Sequence, residues 1–382
     1  MKALSVTPYP ILPLSHGGRV RVFRLSAALA AAGAEVDVLY PWSPGLPLGP
    51  FRRDGVAYLP QAFAANLLPR LLPSVAVPPL VALSWEPYAV AQRRRRSLLA
   101  EHDVAEFHFC AHAAWMERAR RVTKVVYVAH NVEVDFEAPH RPRLLARKML
   151  GRLAELERRA VDASDLVVAC TEADAERLRS LYGGVDYVVV PNGFEDGLLG
   201  FDRAAGRAPA REELGLGREE RVLLFVGGPA RHNRGAVAFL EKRLLPSLQP
   251  GVTLLVAGGC APPGRTEPAP GRKVRRLGYV DDLRPLFAAA DVGVNPVAHG
   301  SGSQLKIAEY LAAGLPIVTT PLGARGYESL ARFLTVAELD GFQAAIESAQ
   351  SPAERADVRE LTWTQLGRRL HAAYTRLLGG RS

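Results

Sequence analysis

The sequence predicts an α/β protein of two doubly wound, Rossmann-like domains that face each other across a crevice. Three observations carry this prediction: a length of 382 residues, an alternation of short apolar runs with longer amphipathic runs, and a break in that alternation after residue 192. A chain of this length exceeds what one ordinary hydrophobic core organises, so two domains are expected. Alternating strands and helices are typical of βαβ units, which build parallel sheets.

The first domain is predicted over residues 1–192. Runs such as KVVYV and DLVVA are apolar on both faces, which indicates strands that are buried in the middle of a parallel sheet. The pattern predicts strands over 3–7, 35–40, 105–109, 124–128, 165–169 and 187–190, and helices over 19–32, 88–101, 113–121, 143–162 and 172–181.

The second domain is predicted over residues 193–362. Its first stretch, 193–220, is rich in glycine, alanine and charge and shows no strand pattern, so we interpret it as the connection between the domains. The alternation then resumes, with strands over 221–226, 253–257, 274–277, 292–295 and 316–319 and helices over 236–248, 283–289 and 303–313. Residues 363–382 form a third segment, with an amphipathic helix over 364–378.

Composition places the chain among globular proteins, because 48% of its residues are hydrophobic and 23% are charged. The net charge of +9 favours anionic partners such as phosphorylated small molecules, nucleic acid or acidic lipid headgroups. Much of that charge is arginine in a chain also rich in alanine and proline, so genomic base composition explains it equally well. Cys110, Cys170 and Cys260 have neither metal-ligand spacing nor an even count, which predicts small buried residues in a reducing compartment.

The sequence predicts a cytoplasmic protein. Its first 15 residues contain three prolines and lack the apolar core of a signal peptide. The most apolar window, 71–90, contains four prolines and Glu86, which a membrane-spanning helix does not normally tolerate. The arginine run 93–96 points in all directions on a helix, so a solvated helix end is expected, and peripheral contact with an anionic membrane is the alternative.

Both halves open with a strand, a glycine pair and a helix. The pairs are Gly17-Gly18 and Gly227-Gly228. Glycine at this place lets the N–H groups at a helix N-terminus approach a phosphate closely. Two doubly wound domains bind ligands in the crevice at the carboxyl ends of their strands, so both pairs are expected to face it. His16, beside the first pair, either lines that crevice or caps the helix.

The segment 291–326 carries the most chemistry. A strand ends at Asn295, the small-residue loop HGSGS follows, and a helix then begins. Free N–H groups and the helix dipole favour an anion there. Lys306 and Glu309 stand three residues apart on one helix face, where the lysine would neutralise a diphosphate and the glutamate would accept hydrogen bonds from ribose hydroxyls. The alternative is an ordinary surface ion pair.

This segment closely resembles the donor site of GT-B glycosyltransferases, specifically the retaining family 4 and its relatives. The matching positions are Gly302, Leu305, Lys306, Glu309, Ala313, Gly314, Pro316 and Ile317, and FVGGPARHNRG, VAHNVE and PNGFE match other family stretches. The resemblance implies a GT-B fold whose C-terminal helix crosses back to the first domain. It also implies a nucleotide-diphosphate sugar as co-substrate without a metal or further cofactor, and a glycan, lipid-linked or small-molecule acceptor.

The resemblance also assigns residues. His130, Lys306 and Glu309 are the implied catalytic residues, with His130 contacting the donor sugar or leaving phosphate. Many relatives have a glutamate where this chain has Ser301, which leaves open the group that reads the sugar hydroxyls. The implied donor-binding residues are Gly227, Gly228, Arg231, Asn233, Arg234, Ser301, Gly302, Ser303, Gln304 and Leu305, and those on the acceptor side of the crevice are His16, Gly17, Gly18 and His108.

Three other functions and a metal site are the alternatives to a GT-B glycosyltransferase. A dinucleotide-binding oxidoreductase would need three spaced glycines after the first strand, which PYPILPLSHGG lacks. A nucleic-acid-binding protein would need a recognition motif, and none is found, so no nucleic acid is expected. A GT-B epimerase or an inactive sugar-nucleotide binder would share this fold. The pair Asp281-Asp282 could suggest a metal, but Asp281 precedes a helix pattern and is interpreted as its N-cap.

Overall fold

The computed structural model describes residues 1–42, 46–61, 97–138, 143–300, 302–351 and 354–380. The backbone forms two compact units. The first comprises Met1–Leu14, Gly18–Pro191 and Trp363–Ser382, and the second comprises Ser15–Gly17 and Asn192–Thr362. The last helix therefore belongs to the first unit, although it follows the second unit in sequence.

The first unit is built on a sheet that has eight strands among the residues described. Their order is β3-β4-β2-β1-β5-β6-β7-β8, and all neighbours are parallel except the antiparallel pair of β3 and β4. The strands are β1 (Lys2–Val6), β2 (Glu35–Pro41), β3 (Phe51–Arg53), β4 (Val56–Gln61), β5 (Val104–His108), β6 (Lys124–Val128), β7 (Leu166–Ala169) and β8 (Asp186–Val189).

Helices connect these parallel strands, as βαβ units require. They are α1 (Gly17–Ala31), α2 (Ala113–Ala119), α3 (Glu133–Glu137), α4 (Arg143–Asp162) and α5 (Glu172–Tyr182), and the C-terminal helix (Trp363–Gly379) joins them. The C-terminal helix approaches α1 closely because Gly367 has no side chain: a Cβ there would lie 2.5 Å from the Cβ of Ala28. Its Leu366, Leu370 and Tyr374 are fully buried.

The second unit repeats this architecture with a sheet of seven strands in its described part. The order is β11-β12-β10-β9-β13-β14-β15, with only β11 antiparallel to its neighbour. The strands are β9 (Arg221–Val226), β10 (Val252–Ala257), β11 (Gly264–Ala269), β12 (Arg272–Gly278), β13 (Val292–Asn295), β14 (Ile317–Thr319) and β15 (Thr335–Val336). The helices are α6 (Arg203–Glu213), α7 (Arg231–Phe239), α8 (Arg284–Ala289), α9 (Leu305–Ala313) and α10 (Phe342–Ser348), with a π-helical stretch (Leu240–Leu244) extending α7.

Hydrophobic clusters cover both faces of the second sheet. Successive residues of β9 point to opposite faces, so Leu224 packs in one cluster with Tyr310 while Phe225 packs in the other with Phe342. Burial on both faces is what the continuous apolar strands predict, and the two-sheet α/β prediction is confirmed. The three cysteines are free and buried, as the sequence predicts.

The stretch 193–220, interpreted as the connection between the domains, contains a helix that the sequence did not predict. Residues Arg203–Glu213 form helix α6, which packs on α8 inside the second unit. Two arginines fix it: Arg207 and Arg211 each bond the carboxylate of Asp291, at 2.5 and 2.8 Å, and that carboxylate also accepts from the backbone N–H of Val222 at 2.7 Å. The helix was not predicted because the stretch is rich in glycine and charge, and ion pairs to a residue distant in sequence stabilise it.

Other elements also differ from the sequence predictions. Strands β3, β11 and β15 were not predicted, because they are short or polar and lie at sheet edges, where apolar runs are not required. Strand β4 was also missed, although it is partly buried and lies inside the sheet. The helix after the acidic pair begins at Arg284, and Asp282 rather than Asp281 accepts its backbone N–H, at 3.0 Å. The arginine run 93–96, the apolar window 71–90 and most of the predicted helix 88–101 lie outside the described residues.

Candidate donor-binding site

The turn that follows β9 packs against the turn that follows β10 so closely that there is no space for a side chain between them. Gly258 follows β10 with φ of +94°, and a Cβ there would overlap the carbonyl oxygen of Gly227. A Cβ on Gly227 would in turn lie 2.9 Å from Cγ of Asn233. This packing seats Asn233 in the first turn of α7, where its Nδ2 donates to the carbonyl of Gly228 at 3.1 Å. Its Oδ1 is thereby left to face the interior.

Lys306 lies in the first turn of α9 and is 5% exposed. Its ammonium donates to three side-chain amide oxygens: Oδ1 of Asn233 at 3.1 Å, Oδ1 of Asn295 at 3.3 Å and Oε1 of Gln304 at 3.4 Å. It also lies 4.6 Å from the centre of the Phe225 ring, a cation–π distance. Lys306 is therefore not half of a surface ion pair, because its hydrogen-bond partners here are neutral.

Burial lowers the pKa of Lys306 to about 8, against the attraction of the Cys260 and Glu309 groups, which raises it. A buried ammonium without a bonded carboxylate is electrostatically under-compensated. The neutral amides solvate its protons but supply no negative charge. An anion that reaches this ammonium would therefore gain more than one bound at a paired surface lysine.

The loop before α9 is held in place by neighbours from distant parts of the second unit. Gly302 has φ of +73°, which turns the chain into Ser303. The hydroxyl of Ser303 accepts the backbone N–H of Asn192 at 2.9 Å, and Nδ2 of Asn192 donates to the Ser303 carbonyl at 2.8 Å. The Tyr327 hydroxyl donates to the Gln304 carbonyl at 2.9 Å. The N-terminus of α9 is thus positioned by contacts that do not use its own N–H groups.

Glu309 lies one turn further along α9 and is half-buried. Burial, together with the nearby charge of Glu195, raises its pKa to about 7, although the charge of Lys306 acts in the opposite direction. A carboxyl group in this setting titrates near neutral pH and accepts hydrogen bonds as its carboxylate above that value.

The remaining predicted donor residues surround this cluster or lie on its rim. Arg231 begins α7 and Arg234 lies one turn later; both are exposed, and Arg234 donates to the Pro229 carbonyl at 2.8 Å. Residues 15–17 group with the second unit, where a Cβ on Gly228 would lie 3.1 Å from Cα of His16. Ser301 lies outside the described residues.

In the first unit, His130 and His108 form one buried pair. His130 follows β6, His108 ends β5, and Nε2 of His130 lies 2.9 Å from Nδ1 of His108. The two parallel strands bring these rings together at their carboxyl ends. Nearby Glu133 is 3% exposed, and burial raises its pKa well above the ordinary value, with the charge of Glu157 acting in the same direction.

Family comparisons match both units. Residues 15–197 match the family described as Glycosyltransferase Family 4, and residues 220–350 match Glycosyl transferases group 1. The chain belongs to these glycosyltransferase families.

Curated relatives of this chain include the D-inositol 3-phosphate glycosyltransferase of Segniliparus rotundus, which is 28% identical over 248 residues, covering 60% of this chain and 52% of that protein. The protein of the same name from Mycobacterium tuberculosis is 27% identical over 283 residues, covering 67% of this chain and 53% of the relative. The chain thus spans about half the length of the curated relatives it matches.

Solved structures of similar fold cover the whole chain. Sucrose-phosphate synthase from Thermosynechococcus elongatus superposes with a TM-score of 0.66 at 16% identity, covering 100% of this chain and 97% of that one. The Anabaena protein HepE in complex with UDP superposes with a TM-score of 0.59 at 14% identity, covering 100% and 98%. These likenesses show that the chain has the GT-B fold.

Sequence reasoning missed several residues that shape the cluster around Lys306. Asn295 was seen only as a strand end, yet its Nδ2 donates to Thr319 Oγ1 at 3.2 Å, which turns its Oδ1 toward Lys306. Gly258 had no motif to mark it. The available signal was a polar Asn at the end of an otherwise apolar buried strand, since buried polar side chains usually have a specific partner.

Two further observations concern other partners. In the described ranges, no group of three or more His, Cys, Asp or Glu side chains could hold a metal ion. The helices described there include none long and apolar enough to cross a membrane.

Proposed function

We propose that this protein is a glycosyltransferase that takes its sugar from a nucleotide-diphosphate donor and binds that donor mainly through its second unit. The observation that carries the proposal is the buried Lys306 ammonium, which has three neutral oxygen partners and lies beside a fixed helix N-terminus. A diphosphate supplies the negative charge that those partners lack. Charge-assisted hydrogen bonds of this kind are about twice as strong as neutral ones.

The donor's other parts are assigned to residues around Lys306. The N–H groups at the start of α9 face the same anion, and Glu309 accepts hydrogen bonds from the ribose hydroxyls as its carboxylate. Arg231 and Arg234, exposed at the start of α7, contribute positive charge to the diphosphate. No metal is needed in this proposal, since lysine and helix N–H groups take the part that a divalent cation plays elsewhere.

We further propose transfer with retention of the donor's anomeric configuration. In that mechanism the departing phosphate takes the proton of the acceptor hydroxyl, so no protein base is required. The enzyme then stabilises the growing charge on the phosphate, for which Lys306 and the α9 N-terminus are suited. His130 contacts the sugar or the phosphate. Burial raises the pKa of the Glu133 carboxyl well above its ordinary value.

The acceptor is proposed to be a glycan, a lipid-linked sugar or a small phosphorylated alcohol or sugar. The names of the relatives favour the last of these, since they include an inositol phosphate glycosyltransferase and a sucrose-phosphate synthase. The same fold and donor site would also serve a sugar-nucleotide epimerase or an inactive binder.

Nucleotide binding is the first test. In a thermal-shift screen, UDP-, GDP- or ADP-sugars should raise the melting temperature, and NAD or an oligonucleotide should not. Stabilisation by an oligonucleotide alone would refute the proposal. Turnover of the stabilising donor with an acceptor panel, followed by mass spectrometry, then separates a transferase from an epimerase or an inactive binder.

The product decides the stereochemistry. An α-linked donor should give an α-linked product by NMR, and His130→Ala should slow transfer without abolishing it. A β-linked product would contradict retention and would require a protein base, for which His16, His108, His130 and Glu133 are the candidates.

A further inference from the structure

A chain of buried polar groups runs through the core of the first unit to His130. It begins on the C-terminal helix, where the Tyr374 hydroxyl donates to Oε2 of Glu106 at 2.5 Å. Nε2 of His108 lies 3.4 Å from Oε1 of Glu106 and 3.0 Å from Oγ of Ser5. Nδ1 of His108 then meets Nε2 of His130 at 2.9 Å.

These groups are costly to bury. Glu106 and His108 are each 1% exposed, and Tyr374 is fully buried. Apolar residues would fill such positions in a parallel sheet without the cost of desolvating a charge. Glu106 and His108 lie on β5, whose other residues Val104, Ala105 and Phe107 are apolar and buried. Packing alone therefore gives no reason for a carboxylate and an imidazole here.

The carboxylate orders the protons along the chain. Burial by itself raises the pKa of Glu106, but hydrogen bonds from His108, Tyr374 and Ser5 outweigh it, and the pKa lies below its ordinary value. Glu106 is therefore a carboxylate, which only accepts hydrogen bonds. Nε2 of His108 faces that carboxylate, and a ring nitrogen bonds a carboxylate only by donating its hydrogen. With that single ring hydrogen on Nε2, Nδ1 of His108 presents a lone pair, to which Nε2 of His130 donates.

The ring plane of His130 is held independently of its protons. Phe109 stacks on it with ring centres 4.1 Å apart and an interplanar angle of 22°. Phe109 has φ of +70°, a left-handed backbone conformation that is strained for a bulky residue. Strain of this kind persists where the surrounding structure demands it.

We propose that Glu106, His108 and Tyr374 are positioning residues that fix His130 as its Nε2–H tautomer, so that Nδ1 carries the lone pair that accepts a hydrogen bond from the donor sugar. The part concerning the sugar rests on the proposed function, in which His130 contacts the donor. The tautomer is a property of the free protein. The C-terminal helix thereby supplies a group that acts on the chemistry of the first unit as well as on its packing.

The tautomer can be measured without any substrate. Protein labelled with ¹⁵N-histidine shows each ring nitrogen in a long-range ¹H–¹⁵N spectrum, and His108→Gln and His130→Gln identify the two rings of interest among the nine histidines. Near pH 7.5, both His130 and His108 should carry their ring hydrogen on Nε2. A His130 ring protonated on Nδ1, or one that exchanges freely between tautomers, would overturn the proposal.

Variants test whether Glu106 and Tyr374 set this state. Glu106→Leu should give a mixture of His130 tautomers, whereas Glu106→Gln keeps an oxygen acceptor and should recover most of the Nε2–H signal. Tyr374→Phe should give a smaller change in the same direction. Tyr58→Phe is the matched control, because Tyr58 is also buried in the first unit and its hydroxyl has no hydrogen-bond partner in the part of the chain described. An unchanged His130 spectrum in folded Glu106→Leu would refute the role of Glu106.

Kinetics then link the tautomer to transfer. Glu106→Leu should lower kcat about tenfold, by analogy with the lower end of the loss seen when the hydrogen-bond partner of a metal-ligating histidine is removed. The KM for the donor should change much less, and Glu106→Gln should restore activity in parallel with the spectrum. A normal kcat in a variant whose His130 populates both tautomers would overturn the proposed hydrogen bond between His130 and the donor sugar. Absence of turnover in the unaltered protein would instead refute the proposed function and leave the spectrum to decide the tautomer.

Discussion

Replacing Lys306 with methionine is the sharpest perturbation that the structure offers. Methionine keeps an unbranched apolar chain against Phe225 and removes the ammonium with its hydrogen bonds to Asn233, Asn295 and Gln304. A charge-assisted contact to phosphate is worth about 1.5–3 kcal/mol, so affinity for a nucleoside diphosphate should fall roughly 10- to 150-fold.

The unliganded variant should remain folded because two effects on its stability oppose each other. Lowering the lysine pKa from 10.5 to about 8 means that its protonated form costs roughly 3 kcal/mol of stability at pH 7, and methionine removes this cost. The buried amide oxygens of Asn233 and Asn295 lose their donor, at about 1–3 kcal/mol each. The free energy of unfolding should therefore fall by about 3 kcal/mol at most.

Isothermal calorimetry with the nucleoside diphosphate, alongside a thermal melt of the unliganded protein, separates binding from stability. Asn295→Leu, which removes one oxygen partner but keeps the ammonium, is a useful comparison and should weaken binding less. Undiminished affinity for the nucleoside diphosphate in folded Lys306→Met would show that the Lys306 ammonium does not bind the diphosphate.

Three further predictions follow from the same geometry. Nucleotide affinity should peak between about pH 7 and pH 8, since Glu309 becomes a carboxylate above its raised pKa of about 7 and Lys306 loses its proton above its lowered pKa of about 8. In calorimetric titrations, Glu309→Gln should remove the fall in affinity on the acid side of this peak. An affinity that does not change with pH in the unaltered protein would contradict both assignments. EDTA should leave the transfer rate unchanged, and a loss of activity that manganese restores would show that a metal takes part. Gly258→Ala should lower the melting temperature and weaken nucleotide binding, because a Cβ there overlaps the Gly227 carbonyl, an overpacking that typically costs about 1–3 kcal/mol. Gly183→Ala is the control for backbone strain alone, since Gly183 has a similar φ of +90° and open space around it. Equal losses of stability in the two variants would refute the packing argument.

The sequence by itself determined the two-domain α/β architecture and the segment that carries the donor chemistry. Buried parallel strands must be apolar along their whole length, so KVVYV and RVLLFV mark β6 and β9 with no help from the rest of the chain. Lys306 and Glu309 were found because a loop, a helix start and their three-residue spacing are all local features of the chain.

Only the tertiary structure decided what surrounds those residues. The oxygens that solvate Lys306 come from Asn233 and Asn295, which lie 73 and 11 residues away in sequence. The series of hydrogen-bonded groups that leads to His130 includes Tyr374, which lies 268 residues from Glu106 in sequence. Helix α6 depends on Asp291, which is 80 residues from Arg211. Local patterns report which backbone conformation and which face a residue favours, whereas the partner of a buried charge is fixed by how distant elements pack, and that information is absent from any short stretch of sequence.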